Sequence, residues 1–562
     1  MKVYRFGRII NRIAVIAAFM AIAVPVLAQE GDSFEDDPFS AQQNSMRRSN
    51  RRSGGSDQWR PSTYADQAAM LQTMANAKIR RSLIYEFGTE GVLSDGQNAP
   101  FWFTSNRQGM SSFENKSLYG HFATMGHMLL PSRFGMGYGM DLGLAEGLQQ
   151  EWFVQQMYID LDYKCLQFSI GSKERWGELA NPELSSGSLT WSGNSKPVPQ
   201  ARFGIPEFTA VPILGSWFSV KGHVAYGMYT DSRWRSQNAE SAYTDGVRYH
   251  SKALFVRFGK EERFPLYATL GLEMYSQFGG TMHNRKFRTD DELMEEYTLP
   301  QNLKAYWNIL LPFNGVGAQT QENGNSLGSW HLSFDYLGKE WRARAYYEHF
   351  YEDHSGMLGI EYKNDLEGNR DYVFYGFRRN WFDGLWGLEF NMPEYWPVRD
   401  AVFEVLNTRG QSGPVYRYPK SSIAEGVDGR DGMYTHEIYD SYSHWGYAEG
   451  SPLLLSPIYN ADSDQRFKSN RVLAFHAGLD GSIGARIDWK VLLTGTRHWG
   501  TYEMPYNEVE DITSCMISGY YLFEGTYGWK LGLSVGFDLD SGSTLGDNRG
   551  IMLSISRRWK IL

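Results

Sequence analysis

The clearest pattern in this chain is a strict alternation of apolar residues with small or polar ones, most regular near the C-terminus. Between residues 529 and 540 every second position is apolar, and residues 551–556 repeat the pattern after a loop of small and polar residues at 541–550. Successive side chains of a strand point to opposite faces of its sheet. Each run is therefore predicted to be a strand with one apolar face, which in the first run comprises Leu531, Leu533, Val535, Phe537 and Leu539.

The same alternation recurs through most of the chain, including residues 153–161, 266–275, 330–336, 341–348 and 483–493. Charged residues occupy the polar face in several of these runs, and aromatic residues recur near their ends. This combination favours a barrel with lipid outside and a polar lumen over a soluble sandwich, whose apolar faces would have to meet one another. We predict an all-β fold, a transmembrane antiparallel β-barrel of about 16–18 strands with a short N-terminal helical element.

Composition supports this fold class and excludes a helical membrane protein. The 562 residues include 35 tyrosines, 32 phenylalanines and 18 tryptophans, as expected for aromatic girdles at the two membrane interfaces. After the N-terminus the chain has no apolar run of about 18 residues, which excludes a helical membrane protein. The net charge of −9 argues against nucleic acid as a partner.

The N-terminal part of the chain divides into three segments by composition. Residues 1–28 have a basic start, a short apolar core and a small-residue cleavage site at Ala28, which is the pattern of a secretory signal peptide. Residues 29–63 are polar and of low complexity, and they are predicted to be a disordered periplasmic tether. Residues 64–84 are rich in helix-forming residues and are predicted to be a helix at the periplasmic rim or in the lumen. The barrel is then expected to occupy residues 85–562.

Two segments break the alternation. Residues 171–213 contain five prolines among many serines and glycines, which predicts a long structured loop or an inward fold. Residues 407–470 are rich in tyrosine, aspartate, glycine and serine, which predicts an extracellular loop. The only two cysteines, Cys165 and Cys515, could be bridged if barrel closure brought the first and last strands together.

Charged residues recur at positions predicted to face the lumen. Two carboxylates near an arginine at the start of the proline-rich segment could serve acid–base chemistry on a sugar. We favour the alternative that they form internal ion pairs that hold a loop in the lumen. For the other charged positions, the functional alternative is an ionic lining for an anionic polymer. The predicted lumen charge network comprises Glu174, Arg175, Glu178, Arg342, Arg344, Glu348, Arg486, Asp488 and Lys490.

Exposed aromatic residues could stack on sugar rings, since an aromatic face matches the apolar face of a pyranose. Membrane girdles explain many of the tryptophans, but the loop at residues 439–450 combines aromatic, serine and histidine residues that no membrane face requires. The predicted glycan contacts are Trp191, Tyr442, His444 and Trp445.

Other chemistry finds little support in the sequence. His436 and Asp440 share a loop with His444, but this ligand set is too sparse to predict a metal site. The chain has no spacing typical of a catalytic triad or of a nucleotide-binding loop. We therefore predict no catalytic residue and no cofactor.

The proline-rich segment resembles a known family. The run ELSSGSLTWSGNSKPVPQARFGIPEF, preceded by GSKERWGE, and the earlier run NAPFWFTSNRQGM (Asn98 to Met110) are similar to a longer branch of the Wzi family of outer-membrane capsule-assembly proteins. The resemblance covers most of the chain after Tyr85. It implies a barrel of about 18 strands with helical elements on the periplasmic side. It also implies a lectin-like role that holds capsular polysaccharide at the cell surface.

Together these observations predict a non-enzymatic barrel in the cell outer membrane that binds or organises capsular or other surface polysaccharide. Its expected partners are that polysaccharide, the lipid of the outer membrane and the polysaccharide export machinery. Two other functions stay open, a transport pore whose lumen passes a solute and an outer-membrane enzyme that acts on glycan or lipid. Inner plug elements would count against the pore, and the lack of a convergent catalytic set counts against the enzyme.

Overall fold

The computed structural model describes most of the chain from Arg81 onward. The predicted signal peptide, the predicted tether and the predicted helix up to residue 80 lie outside the described residues. These residues are 81–129, 134–211, 217–239, 242–259, 264–286, 293–310, 324–352, 357, 360–364, 370–374, 382–393, 396–411, 432–523 and 528–561.

The antiparallel strands form one closed barrel of 18, in which each strand pairs with its neighbours in sequence. The first strand also pairs with the last, from Leu83 opposite Ile561 to Gly96 opposite Asn548, so the sheet has no free edge. This confirms the predicted all-β transmembrane barrel at the upper end of the expected strand number. The strands are β1 (Arg81–Gly96), β2 (Lys116–Leu129), β3 (Phe134–Glu146), β4 (Trp152–Tyr163), β5 (Leu166–Ser172), β6 (Gln200–Ala210), β7 (Phe218–Met228), β8 (Arg248–Phe258), β9 (Leu266–Phe278), β10 (Asn325–Leu337), β11 (Arg342–Glu352), β12 (Gly384–Asn391), β13 (Asp400–Asn407), β14 (Val472–Ile483), β15 (Ile487–Gly500), β16 (Pro505–Leu522), β17 (Trp529–Asp540) and β18 (Asn548–Ile561).

The two faces of the strands are as the alternation predicts. In β17 the apolar residues are exposed on the outside of the barrel, with values of 44% for Leu531 and 58% for Leu539. Lys530, Ser534 and Asp538 alternate with them and are buried inside. An apolar outer surface that runs around the barrel is suited to contact with lipid. Among the described helices, none is both long enough and apolar enough to cross a membrane.

Short connections join the strands at one rim of the barrel, and all the long connections lie at the other. The first and last strands begin and end at the short-turn rim. In outer-membrane barrels short turns face the periplasm and long loops face the cell exterior. The predicted loop 541–550 lies at the exterior rim, although β18 already begins at Asn548.

The connections contain further short elements. The helices are α1 (Phe101–Thr104), α2 (Ser232–Asn238) and α3 (Leu303–Leu310). The short strands outside the barrel are Tyr243–Asp245, Thr281–Lys286, Leu293–Thr298, Ile360–Asn364, Arg370–Phe374, Thr435–His436, Asp440–Ser441, Ser443–His444 and Tyr447–Ala448, and the 3₁₀ turns are Pro452–Leu454 and Pro457–Tyr459.

The start of the barrel corrects one prediction. The sequence predicts helix up to residue 84, whereas β1 begins at Arg81. Ser82 and Glu86 face the lumen and are only 2% and 1% exposed. Residues of β1 from Leu83 onward pair with β18, whose backbone would otherwise present unpaired groups inside the membrane. This requirement outweighs the local helical preference of residues 81–84.

A second correction concerns Arg486, which was expected in the lumen. It is exposed in the tight turn between β14 and β15 at the periplasmic rim. Gly484 adopts a φ of 65° there, a left-handed conformation that allows the chain to reverse. The alternation over residues 483–493 therefore belongs to two strands and not to one. The two cysteines are both free, Cys165 exposed and Cys515 buried, so no bridge joins them.

Three connections of the exterior rim fold into the lumen and fill it. We call them the first inner segment (residues 97–113), the second (173–199) and the third (432–471), and together the plug. The large hydrophobic core of the described residues lies inside the barrel and includes Trp102, Leu189 and Tyr447. The inward fold expected for residues 171–213 is thus observed over 173–199. For residues 432–458 the third segment corrects the expectation of an extracellular loop over 407–470, since nearly all of these residues are buried. Residues 412–431 of the predicted loop lie outside the described residues.

Candidate functional site

Two carboxylates of the barrel wall hold the second inner segment from one side. Glu348 of β11 accepts hydrogen bonds from the backbone N–H groups of residues 189–190, at 2.9 and 3.1 Å. Glu404 of β13 accepts hydrogen bonds from the Ser185 hydroxyl and the Ser186 N–H, both at 2.6 Å. Both carboxylates occupy lumen-facing positions of strands in which apolar and polar residues alternate, and both are almost fully buried. Hydrogen bonds to a buried carboxylate are among the stronger ones in proteins.

Lysines of the wall hold the first half of the same segment. Lys221 pairs with Glu178 and Lys490 pairs with Glu183, each at 2.6 Å. Burial alone would raise the pKa of Glu178, but Lys221 and Arg202 outweigh burial and lower that pKa below its ordinary value. The carboxylate therefore stays charged, as an ion pair inside the lumen requires.

The predicted arginines of β11 lie at the same level of the lumen. Asp335 accepts hydrogen bonds from Arg342 at 2.5 Å and from Arg344 at 2.6 Å. Arg344 also lies 3.6 Å from Glu389 and donates a hydrogen bond to the Leu179 carbonyl of the plug at 2.7 Å. Arg344 thus binds the wall and the plug together, and carboxylates of neighbouring strands neutralise the charges of both arginines.

Glu174 and Arg175 stand where the chain turns from β5 into the lumen. Glu174 accepts a hydrogen bond from Gln155 at 2.7 Å. Arg175 donates to the Lys173 carbonyl at 3.1 Å and to the Ser169 hydroxyl at 3.2 Å. These contacts fit the interpretation that the charges hold a loop in the lumen, because both side chains form hydrogen bonds within the protein.

The inner segments also bind one another. The Gln108 N–H of the first segment donates to the Gly193 carbonyl of the second at 2.8 Å. The Ser192 N–H of the second donates to the Glu449 carbonyl of the third at 2.9 Å. The second segment is therefore the central layer of the plug, with backbone hydrogen bonds to the segments on both sides.

The predicted glycan contacts are part of this plug and not of the surface. The side chains of Trp191, Tyr442, His444 and Trp445 are 4%, 1%, 0% and 7% exposed. Trp191 stacks on Tyr275 of the wall, with ring centres 5.5 Å apart and planes 7° apart. The expectation that these residues are available in an exposed loop is wrong, because the loop that carries most of them folds inward.

Burial also sets the charge of two groups in the plug. His444 Nδ1 lies 2.9 Å from the Lys196 carbonyl, and burial lowers the pKa of His444 to about 4. Burial raises the pKa of Glu449 to about 8. At neutral pH both side chains are therefore mainly uncharged, which suits a water-poor interior. Within the described part of the chain, no three histidine, cysteine, aspartate or glutamate side chains come together as metal ligands.

A polar cavity of about 200 Å³ lies beside the plug, between the periplasmic halves of several strands. Arg107 of the first inner segment forms an ion pair with Glu90 of β1, and His121 lies 2.9 Å from Asp141. The alternation in β1 could have indicated that Glu86 and Glu90 face inward. Their partners could not be predicted, because they come from distant parts of the chain. Other charged lining residues are Glu174, Glu183, Arg399, Asp480, Asp488, Lys490 and Lys530.

The exterior rim carries an open groove of about 610 Å³ between the third inner segment and the β15–β16 and β17–β18 connections. Lys468 is the one cation among the described residues that line the groove, and it forms an ion pair with Asp462. Carboxylate and amide groups can accept and donate hydrogen bonds to sugar hydroxyls, and the Tyr506 ring offers an apolar face. The charged and polar residues of this rim groove are Asp462, Asp464, Lys468, Tyr506, Asn507, Glu508, Glu510 and Ser541.

Comparison with known proteins identifies the fold. No family model matches the chain, and no curated protein matches it. Among solved structures, it is similar to Wzi of Escherichia coli, described as an outer-membrane protein involved in group 1 capsule assembly and as a carbohydrate-binding β-barrel. The identity is 13%, the match covers 88% of this chain and 89% of that one, and the TM-score is 0.52.

Weaker structural matches lie among other outer-membrane barrels. OprD of Pseudomonas aeruginosa is 10% identical over 86% of this chain and 96% of that one, with a TM-score of 0.41. A BenF-like porin of Pseudomonas fluorescens is 10% identical over 86% and 98%, with a TM-score of 0.42. Together with the lipid-facing surface, the match to Wzi shows that this chain has the fold of an outer-membrane barrel.

Proposed function

We propose that the protein is a non-enzymatic, Wzi-like barrel that binds or organises capsular or other surface polysaccharide at the cell surface. The observation that carries the proposal is the filled lumen. Hydrogen bonds join the three inner segments to one another, and wall carboxylates and cations hold the central one. With the interior occupied, the exterior rim is the surface left for interaction. Likeness in fold to a carbohydrate-binding barrel over most of both chains supports the same reading.

The rim groove is the part of that surface best suited to a sugar chain. It combines a half-buried tyrosine ring with carboxylates and an amide, the groups that recognise sugar hydroxyls. Four carboxylates stand against one lysine among its lining residues. A neutral or amino-sugar polymer would therefore be favoured there over an acidic one, because like charges repel.

Conductance in planar bilayers tests the filled lumen. Reconstituted protein is expected to give no stable, large conductance, whereas a porin reconstituted in the same lipid conducts. Steady large currents through the wild-type protein would refute the proposal and favour a transport pore for a solute.

Cell-surface polysaccharide tests the physiological role. A deletion strain is expected to release polysaccharide that the complemented strain retains, and unchanged retention would refute the role in surface polysaccharide. Purified polysaccharide incubated with the protein is expected to keep its chain length. Time-dependent shortening, or hydrolysis of added lipid, would instead favour an enzyme.

Variants of the rim groove test its part in binding. Tyr506→Ala and Asn507→Ala are each expected to weaken polysaccharide binding about tenfold, the effect of losing roughly 1.4 kcal/mol of stacking or hydrogen bonding. Asn238→Ala, at an exposed position of the same rim, is the matched control. Equal binding by all three variants would move the contact away from this groove.

The proposal also includes the route to the membrane and a partner. Cleavage of a signal peptide near Ala28 is expected to leave Gln29 as the first residue of the outer-membrane protein, which N-terminal sequencing would detect. The predicted tether, residues 29–63, is proposed to contact the polysaccharide export machinery. Crosslinking in cells would detect this contact. Recovery of the uncleaved chain would contradict the first expectation.

A further inference from the structure

One helix of the exterior connections lies outside the barrel and not above its lumen. The connection between β9 and β10 leaves the hydrophobic core at Leu299, which is 1% exposed and whose N–H donates to the Gly280 carbonyl at 2.9 Å. It then crosses the wall, where Arg248 of β8 donates a hydrogen bond to Gln301 at 3.2 Å. Beyond this crossing the chain forms α3, Leu303–Leu310.

The contacts of α3 are with outward-facing residues of the wall. Lys252 of β8 donates hydrogen bonds to the Ile309 and Leu310 carbonyls at 2.9 and 2.8 Å. Tyr226 of β7 donates to the Tyr306 carbonyl at 2.9 Å. Lys252 stands two residues from Leu254, which is 58% exposed on the outside of the barrel. Since residues two apart share a face of a strand, Lys252 points outward as well.

Without α3, this side of the barrel would present polar groups where other sides present apolar ones. On β8 the exposed apolar residues are Leu254 and Phe258, whereas on β17 they extend from Leu531 to Leu539. At about 3.3 Å per residue and a tilt near 40°, the band is roughly 10 Å tall on β8 and 20 Å on β17. The helix covers the part of the wall where the band is missing.

The next connection continues this covering. Trp330 of β10 donates a hydrogen bond to the Met357 carbonyl at 2.8 Å. Met274 and Tyr351 pack with Met357 and are only 2% and 1% exposed, although both share a strand face with lipid-facing residues. Met357 thus covers the outer wall on the neighbouring strands β9, β10 and β11.

Two large apolar side chains of α3 are exposed in the described part of the chain. Leu303 and Trp307, one helical turn apart on the same side, are 89% and 56% exposed, the first being an unusually high value for leucine. Ile309, on the opposite side, is 6% exposed. Leu303 and Trp307 therefore form a ridge that faces away from the barrel.

We propose that α3 is a membrane-contacting helix whose Leu303–Trp307 ridge lies in the outer leaflet of the outer membrane. Lipid is the occupant because the ridge continues, toward the cell exterior, the lipid-facing surface formed by Leu254 and by Leu270, which is 55% exposed. Tryptophan at one end of an apolar band is typical of a membrane interface. The helix replaces the upper half of the band and shields Lys252 from acyl chains.

Spin labels measure whether the ridge meets lipid. In a Cys165→Ser/Cys515→Ser background, Leu303→Cys and Trp307→Cys are labelled, folded and reconstituted in phospholipid vesicles. Power saturation compares collisions with oxygen, which concentrates in lipid, and with a water-soluble nickel chelate. Leu254→Cys is the lipid-facing control and Asn238→Cys the water-exposed control, both on the same barrel.

The expected ratio of oxygen to nickel collisions at positions 303 and 307 is several-fold higher than at position 238 and close to that at 254. A ratio like that at 238 would place the ridge in water and overturn the proposal. Labels that are immobile and reached by neither reagent would mean that protein covers the ridge, which also overturns it. Because both side chains are exposed, heat-modifiable migration on gels is expected to match the parent protein and verifies folding.

Discussion

The wall carboxylates Glu348 and Glu404 are predicted to keep the second inner segment in the lumen. The perturbation is Glu348→Ala, Glu404→Ala and the double variant. Each carboxylate accepts two hydrogen bonds from this segment, at distances between 2.6 and 3.1 Å. Alanine removes the acceptor and leaves the donors of the segment buried without a partner.

The magnitude follows from these contacts. A hydrogen bond to a charged group contributes about 1.5 to 3 kcal/mol, so each substitution is expected to weaken the closed plug by about 3 kcal/mol or more. Since 1.4 kcal/mol is a factor of about ten, local opening becomes roughly a hundredfold more frequent in each single variant. The two sites lie on the same short stretch, so the double variant is expected to open more often than either.

Hydrogen exchange of the peptide that covers residues 184–190 measures this opening directly. The N–H groups of Ser186, Leu189 and Thr190 donate to the two carboxylates. Their exchange is expected to accelerate about a hundredfold in the single variants, while exchange in the strands stays slow. Bilayer recordings of the double variant are expected to show brief openings that the wild type lacks.

Asp141→Ala is the matched control, because Asp141 is an equally buried wall carboxylate, 1% exposed, whose partner His121 belongs to the neighbouring strand. It is expected to leave exchange in residues 184–190 unchanged. The reasoning is refuted if the double variant exchanges at the wild-type rate there, since other contacts would then hold the segment alone. Equal acceleration in Asp141→Ala would point to a general loosening of the wall.

Three further predictions concern the plug and the wall. The pKa of Glu449 is raised to about 8, so the folded state holds a proton that the unfolded state releases above the ordinary value of 4.5. Stability in denaturant titrations should therefore fall by about 3 kcal/mol between pH 4.5 and 7 in the wild type but not in Glu449→Gln. Gly536→Val should destabilise by about 1 to 3 kcal/mol because a Cβ there would meet Phe103 at 2.8 Å, whereas Gly495→Val, at a position with open space, should not. Leu533→Arg, on the lipid face, should lower the free energy of unfolding in vesicles by about 2 to 4 kcal/mol.

The wall was predictable because its signal is local. Each residue of β17 faces either lipid or the lumen according to its place in the strand. The alternation from Leu531 to Leu539 therefore predicts both faces without knowledge of distant contacts. The same rule failed at Arg486, which lies in a turn between two strands. The apolar alternation continues through this turn without a break, so it gave no sign that one strand ends and the next begins. Periodicity alone carries no mark of such a turn beyond Gly484.

The plug was not predictable to the same extent because its contacts join distant residues. Tyr442 and His444 belong to a segment whose composition is typical of an exposed loop. Their burial becomes favourable only beside the second inner segment and the wall. His444 depends on the Lys196 carbonyl, and Glu348 depends on N–H groups 158 and 159 residues earlier in the chain. The prolines of residues 171–213 therefore indicated a long structured loop or an inward fold, but not what packs against it.

The aromatic content has a second cause besides membrane girdles. Several lumen-facing rings lie over glycines directly opposite them in the neighbouring strand, where any Cβ would collide with the ring. Aromatic residues that cover glycines on adjacent strands stabilise curved sheets. These ring-and-glycine pairs are Phe153 with Gly143, Tyr158 with Gly139, Phe255 with Gly271 and Tyr346 with Gly387.

The pairing of β1 with β18 has a kinetic consequence. Every other pairing in the wall joins successive strands, whereas this one joins residues from opposite ends of the barrel sequence. Contacts between such distant residues form late, because the entropy of bringing them together must be overcome first. If the barrel closed with an empty lumen, the inner segments would have to enter it afterwards. Until then, the charged residues that line the lumen would lack their partners in the plug. We therefore expect filling and closure to occur in one cooperative step, with no long-lived hollow intermediate.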